Sequence, residues 1–325
     1  MPDFLVIGAP KAGSTALHAA LEQHPQLFLS TPKEPKFFLT DERPPARRHH
    51  RGPGDAHSSR EWIWRLDRYE ALFAAKPPYA LAGESTPFYL WDTAAHARIA
   101  AANPAMKLIA VIRDPVDRAY SNWTHLRTDG LEPEADFGTA CELEPRRARD
   151  GWAPFWRYLD LGRYGAQLQH LYEHVPREQV HVVRYRQLVD EPVSTLDGIC
   201  EFLGIDTGVL DTVPGSNMSA WVGPGAVNDA VRHVVRGGAA VGGYLPPQAW
   251  RFAERPLRAV LRRGNAHRPS LDPAVRRELV THFVDDVALL EHLLGRSFQD
   301  WLGESGRGTF AVRRSLAPSE RDASQ

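Results

Sequence analysis

Four short stretches of this chain carry residue types and spacings suited to gripping anions and moving a proton. The first is Gly8-Ala-Pro-Lys11-Ala12-Gly13-Ser14-Thr15, set between the apolar run Phe4–Ile7 and a segment with Leu17, Ala20 and Leu21 at helical spacing. A glycine turn that opens a helix points backbone N–H groups and the positive helix end at one spot, which makes a phosphate site. Lys11 adds a full positive charge inside that turn. The second stretch runs from the apolar segment Leu108–Ile112 into Arg113, Asp114 and Pro115, and on to Ser121. Asp114 suits a helix N-cap and Pro115 the first helical position. Ser121 lies seven residues after Asp114, close to two turns, so it shares the face of the helix start and could grip a second anion with Arg113. The third is Lys33-Glu34-Pro35-Lys36-Phe37-Phe38. Flanking lysines favour the ionised form of Glu34, which can then accept a proton, while the phenylalanines anchor the loop in the core. The fourth, Gly83-Glu84-Ser85-Thr86-Pro87-Phe88-Tyr89, offers a second carboxylate. Tyr89 and Trp91 could stack on a ligand ring, although buried aromatics more often simply fill a core.

Each stretch also has a plainer reading. The glycine turn could merely join strand to helix. Arg113 could pair locally with Asp114 or Asp117, leaving Ser121 as an exposed helix serine. The lysines around Glu34 could be a solvated charge run. A nucleoside-triphosphate loop would need lysine directly after the second glycine, where this chain has Ser14. A kinase on such a loop would also need a strand-end aspartate for Mg²⁺, whereas Arg113 ends the apolar run here, one residue before Asp114.

Strand-like and helix-like segments alternate, which predicts an α/β fold with a central parallel sheet flanked by helices. The strands are expected at Phe4–Ile7, Leu27–Leu29, Ala80–Gly83, Leu108–Ile112 and Val180–Arg184. Helices are expected at Ser14–His24, Arg68–Ala75, Thr93–Ala102, Pro115–Leu126, Tyr164–His174 and Val193–Leu203, with one long helix at Ala274–Leu294. The Pro-, Arg- and His-rich Thr40–Arg60 reads as an exposed loop and Ser305–Gln325 as a disordered tail. The organisation expected is one domain over 1–302 and a tail over 303–325.

The 325 residues are enough for a substantial core, and a formal net charge of −1 argues against a general nucleic-acid partner. Cys141 and Cys200 have no metal-ligand spacing and read as reduced, packed thiols. No apolar window is long enough for a membrane span, and no signal peptide is evident, so a cytoplasmic location is expected.

The Lys11–Thr15 turn resembles the 5′-phosphosulfate loop of sulfotransferases that use 3′-phosphoadenosine 5′-phosphosulfate (PAPS). The Arg113–Ser121 pair is similar to the 3′-phosphate motif of the same family. The resemblance covers about residues 3–302 and implies a P-loop-like, three-layer α/β fold. It implies donor binding by Lys11, Ala12, Gly13, Ser14, Thr15, Ala16, Arg113 and Ser121, with no metal. In the heparan-type members the glutamate matching Glu34 is the proposed base, so Lys11 and Glu34 are expected to be catalytic. Lys36, Glu84 and Tyr89 are expected on the acceptor side, with Glu84 as the second candidate base. The late loop that closes on the nucleotide in the family matches 215–225, which has no lysine or arginine. Asn217 and Ser219 are the donors expected there. The implied acceptor is a hydroxyl, less readily an amine, of a small molecule, sugar or lipid. The rival expectations are an ATP-dependent kinase and a non-catalytic nucleotide-binding protein.

Overall fold

The most apolar runs of the sequence form the middle of one parallel sheet. β1 (Phe4–Gly8) and β4 (Lys107–Ile112) are buried almost throughout and lie side by side. Burial on both faces is why they read as unbroken apolar runs. β2 (Leu27–Leu29), β3 (Leu81–Glu84) and β5 (Val180–Arg184) complete the sheet in the order β2-β3-β1-β4-β5, all parallel. The computed structural model describes residues 1–45, 62–214, 233–234 and 270–303. The five expected strands are all present, each within one residue of its expected ends.

Helices cover the faces: α1 (Ser14–Leu21), α2 (Leu66–Ala71), α3 (Thr93–Ala102), α4 (Pro115–Thr128), α5 (Phe137–Glu142), α6 (Glu144–Arg149), α7 (Tyr164–Tyr172), α8 (Tyr185–Asp190) and α9 (Pro192–Leu203). After β1 the chain passes to the β2 side of the sheet, whereas after β4 it passes to the β5 side. The loops that follow β1 and β4 therefore part at a topological switch point, the usual ligand crevice of such sheets.

The expected long C-terminal helix is broken. α10 (Pro273–Val280) and α11 (Val284–Leu294) are joined by a 3₁₀ turn, Thr281–Phe283. The two halves dock on different partners. α10 sends Arg276 to α4, while Asp286 of α11 caps α7 through the Gly165 and Ala166 N–H groups, both at 2.9 Å. Gly165 permits this approach, since a Cβ there would lie 2.4 Å from the Asp286 carbonyl. Phe283 of the 3₁₀ turn stays buried between the two halves.

The expected loop Thr40–Arg60 is described only to residue 45, and the expected tail lies outside the described residues. Cys141 and Cys200 are free and buried. Among the described residues, no helix is long and apolar enough to cross a membrane.

Candidate active site

The loop between β1 and α1 leaves the helix start open. Gly13 stands at the N-cap with φ of 100°, no side chain caps α1, and its first turn holds no acidic residue. The N–H groups of that turn are thus directed at the loop mouth with the positive helix end behind them. Lys11 adopts φ of 65° and Lys36 φ of 61°, left-handed backbone that a side chain normally avoids. Such backbone persists where the surroundings over-determine it, and it collects at ligand sites. Ser14 is buried, Ala16 half-buried and Thr15 exposed at the loop mouth.

Arg113 follows β4 and Ser121 lies two turns into α4, both half-buried. The local carboxylates do not take Arg113. Asp114 accepts from the Val116 and Asp117 N–H groups at 2.9 and 3.0 Å, as an N-cap does. Arg276 then pairs with both Asp114 and Asp117. Among the described residues no carboxylate pairs with Arg113, whose guanidinium instead lies 4.7 Å from the ring centre of Tyr185. The same capping and pairing occupy Asp114, the first carboxylate after that strand.

Tyr185, at the start of α8, lies between the two positions expected to hold anions. Its ring carries Arg113 on one side, and a Cβ added to Gly13 would come 2.8 Å from its Cδ2. Only glycine fits that approach. Beside it opens a cleft of about 330 Å³ lined by Gly13, Ala16, Tyr185, Leu188, Val189, Pro192 and Thr212–Pro214. Its mostly apolar wall suits a flat heteroaromatic ring beside the two positions expected to hold anions. Tyr185 was not singled out from the sequence, although it sits directly after a strand end, the position where this sheet class places ligand contacts.

The acceptor side is built by stitching two segments together. Ser85 N–H donates to the Lys33 carbonyl at 3.0 Å, Lys36 N–H to Thr86 Oγ1 at 3.3 Å, and Phe38 N–H to the Tyr89 hydroxyl at 3.3 Å. Phe37, Phe38, Tyr69 and Tyr89 pack ring against ring beneath. Glu34 remains about one-fifth exposed and pairs with Lys33 at 2.9 Å. Lys36, Glu84 and Tyr89, the residues expected to meet an acceptor, are all buried. Tyr89 shows no ring face to solvent, and Trp91 is engaged by Arg157 over its ring and by Asp160 at its Nε1.

Glu84 accepts from the Tyr69 hydroxyl at 3.2 Å and is fully buried. Burial pushes its carboxyl up to about 7, and the charge of Glu34 adds to the rise against hydrogen bonds from Tyr89, Thr86 and Tyr69. His18, four residues beyond Ser14 on α1, meets Ser85 Oγ at 2.9 Å. Burial, with the charge of Lys33, lowers His18 to about 4, so it is neutral at physiological pH. His18 thereby ties the helix that opens at the phosphate-type loop to the Lys33–Glu34 side. A polar residue on the buried face of α1 was the signal for it. Asn217 and Ser219 lie outside the described residues.

Comparison with known proteins identifies the family and the fold. A model of the sulfotransferase family matches residues 2–208. Human heparan sulfate glucosamine 3-O-sulfotransferase 3B1 is 28% identical over 212 residues, covering 65% of this chain and 48% of that protein. Human bifunctional heparan sulfate N-deacetylase/N-sulfotransferase 3 is 28% identical over 207 residues, covering 63% of this chain and 22% of that protein. The chain thus spans about half the length of the first relative and less of the second. The crystal structure of a sulfotransferase from Alicyclobacillus acidocaldarius superposes with a TM-score of 0.70 at 28% identity, covering 93% of this chain and 98% of that one. The chain belongs to the sulfotransferase family.

Proposed function

We propose that this member of the sulfotransferase family moves a sulfuryl group from PAPS to a hydroxyl of a small-molecule, sugar or lipid acceptor, within one domain spanning 1–302. The observation that carries the reading is the placement of Gly13 and Arg113 about the single ring of Tyr185, beside an apolar cleft. That arrangement matches a nucleotide with anionic groups at both its 5′ and 3′ positions. PAPS supplies the activated sulfuryl group.

Within this reading, the open first turn of α1 receives the 5′-phosphosulfate through the N–H groups of Gly13 to Ala16, with Ser14 and Thr15 as hydroxyl donors. Lys11 neutralises charge growing on the bridging oxygen as the bond to sulfur breaks. Arg113 and Ser121 hold the 3′-phosphate by charge-assisted bonds. Glu34 takes the proton of the attacking hydroxyl. The pair Glu34–Glu84 suits this division, since one carboxylate is partly exposed and paired with lysine while the other is buried, its carboxyl pushed up to about 7. Lys36, Glu84 and Tyr89 frame the acceptor side from beneath. The relatives include both an O- and an N-sulfotransferase, so hydroxyl is preferred here on the Glu34 argument alone.

Calorimetry with 3′-phosphoadenosine 5′-phosphate, adenosine 5′-phosphate and ATP, each with and without Mg²⁺, tests the donor. The reading requires the 3′-phosphorylated nucleotide to bind best and without Mg²⁺. Preference for ATP with Mg²⁺ would overturn it.

A further inference from the structure

The C-terminal end of α7 carries chemistry that the transfer reaction does not use. Its sequence is His170-Leu-Tyr-Glu173-His174. That order, H-x-x-E-H, is shared with zinc-binding segments in which the two histidines ligate; here α7 ends at Tyr172, and Glu173 and His174 follow in the turn that closes it. In the structure one ligand atom from each of His170, Glu173 and His174 lies within 4.8 Å of the others. The two imidazole ring centres are 5.1 Å apart. Tetrahedral zinc with bonds of about 2.0–2.2 Å needs ligand atoms roughly 3.3–3.6 Å apart. Glu173 and His174 are exposed, so turning their side chains closes the difference without moving the core.

A third imidazole fixes the tautomer of the first. His96 on α3 is fully buried, and its Nε2 lies 3.1 Å from the Leu90 carbonyl. A carbonyl only accepts, so the His96 proton is on Nε2 and its Nδ1 carries the lone pair. His170 Nδ1 stands 2.9 Å from that Nδ1 and must therefore donate to it. The proton of neutral His170 is thus on Nδ1, and Nε2 holds the lone pair a metal requires. A ring N–H anchored to a neighbour while the other nitrogen binds metal is the usual outer-shell arrangement of zinc ligands. The helix C-terminus adds a negative end dipole that favours a cation. None of these residues lies on the loops that carry Lys11, Glu34 or Arg113.

We infer that His170, Glu173 and His174 form a site for a borderline divalent metal, zinc foremost, separate from the transfer site. Two imidazoles and one carboxylate suit zinc over calcium or magnesium, which prefer oxygen donors alone. The test is a zinc titration by calorimetry on tag-free, chelator-treated protein, repeated with Glu173→Gln and His174→Ala. Both side chains are exposed, so circular dichroism should confirm intact folds. One zinc per chain is expected, with affinity falling about 10–100-fold or more in each variant, at least the loss typical of an outer-shell partner. Binding of 3′-phosphoadenosine 5′-phosphate should be the same in wild type and His174→Ala. Cobalt substituted for zinc should give the visible absorption of a low-coordinate site in wild type and lose it in His174→Ala. Absence of zinc binding, or equal affinity in all three proteins, would overturn the assignment.

Discussion

Glu34 and Glu84 are the same residue type on two segments laced to each other by hydrogen bonds, yet the fold gives them opposite characters. Glu34 sits at the rim, partly exposed and paired with Lys33. Glu84 ends a central strand and is wholly buried under tyrosines, with its carboxyl lifted to about 7. The first meets solvent and a neighbouring ammonium, surroundings that favour a charged carboxylate. Desolvation raises the second's carboxyl to about 7, so it is largely protonated below neutrality. The lesson is that type and spacing nominated two carboxylates, and environment separates their roles.

The sharpest way to break this comparison is to neutralise each carboxylate in turn. Glu34→Gln should lower turnover by about 10²–10⁴-fold, the worth of a positioned general base, with donor affinity kept. The loss should shrink for an acidic phenol, which needs less help to ionise. Glu84→Gln should cost less in turnover. Steady-state kinetics on both variants checks this, and reversed ranks would move the base to Glu84.

Lys11→Ala belongs to the donor half and should reduce turnover by roughly 10²–10³-fold, comparable to losing an oxyanion donor. Its effect should fall on the maximal rate more than on the donor Michaelis constant, because the charge it meets grows toward the transition state. A normal rate with a raised constant would restrict Lys11 to ground-state anchoring.

Glu84 should also write a pH dependence into stability. Its carboxyl titrates near 4.5 in the unfolded chain and at about 7 in the fold. A raised folded value favours the protonated native state, so this stabilisation is complete below the unfolded value and is lost as pH rises through about 7. A shift of that size is worth about 3 kcal/mol. Urea unfolding of wild type and Glu84→Gln across this range should show the wild-type advantage falling by that order, and a constant difference would contradict the burial argument.

Arg113→Ala is the smallest of the four. Loss of a charge-assisted contact costs about 1.5–3 kcal/mol, which should appear in binding of 3′-phosphoadenosine 5′-phosphate and hardly at all in adenosine 5′-phosphate. Equal weakening of both would make Arg113 a structural partner of Tyr185.

The parts legible in the sequence were those governed by local pattern. The sheet strands followed from apolar runs, and the loop, its open helix start and the strand-end arginine followed from glycine, proline and N-cap chemistry. What escaped depends on contacts across the chain. Nothing near Arg276 in sequence announces Asp114, 162 residues away. Tyr185 gains its place only once β5 lies beside β4, and the 3₁₀ turn at Thr281–Phe283 interrupts an apolar periodicity that runs through it unbroken. Tyr89 looked available to an acceptor from its neighbours, but the aromatic cluster under Phe37 and Phe38 encloses it.

The most direct test of the account is turnover of PAPS by wild type and by Glu34→Gln over a panel of alcohols and phenols, following the desulfated nucleotide and the sulfated product together by mass spectrometry. Wild type should form equal amounts of both, and Glu34→Gln should bind the desulfated nucleotide normally but form little of either product. Full turnover by Glu34→Gln, or consumption of ATP with PAPS left intact, would contradict it.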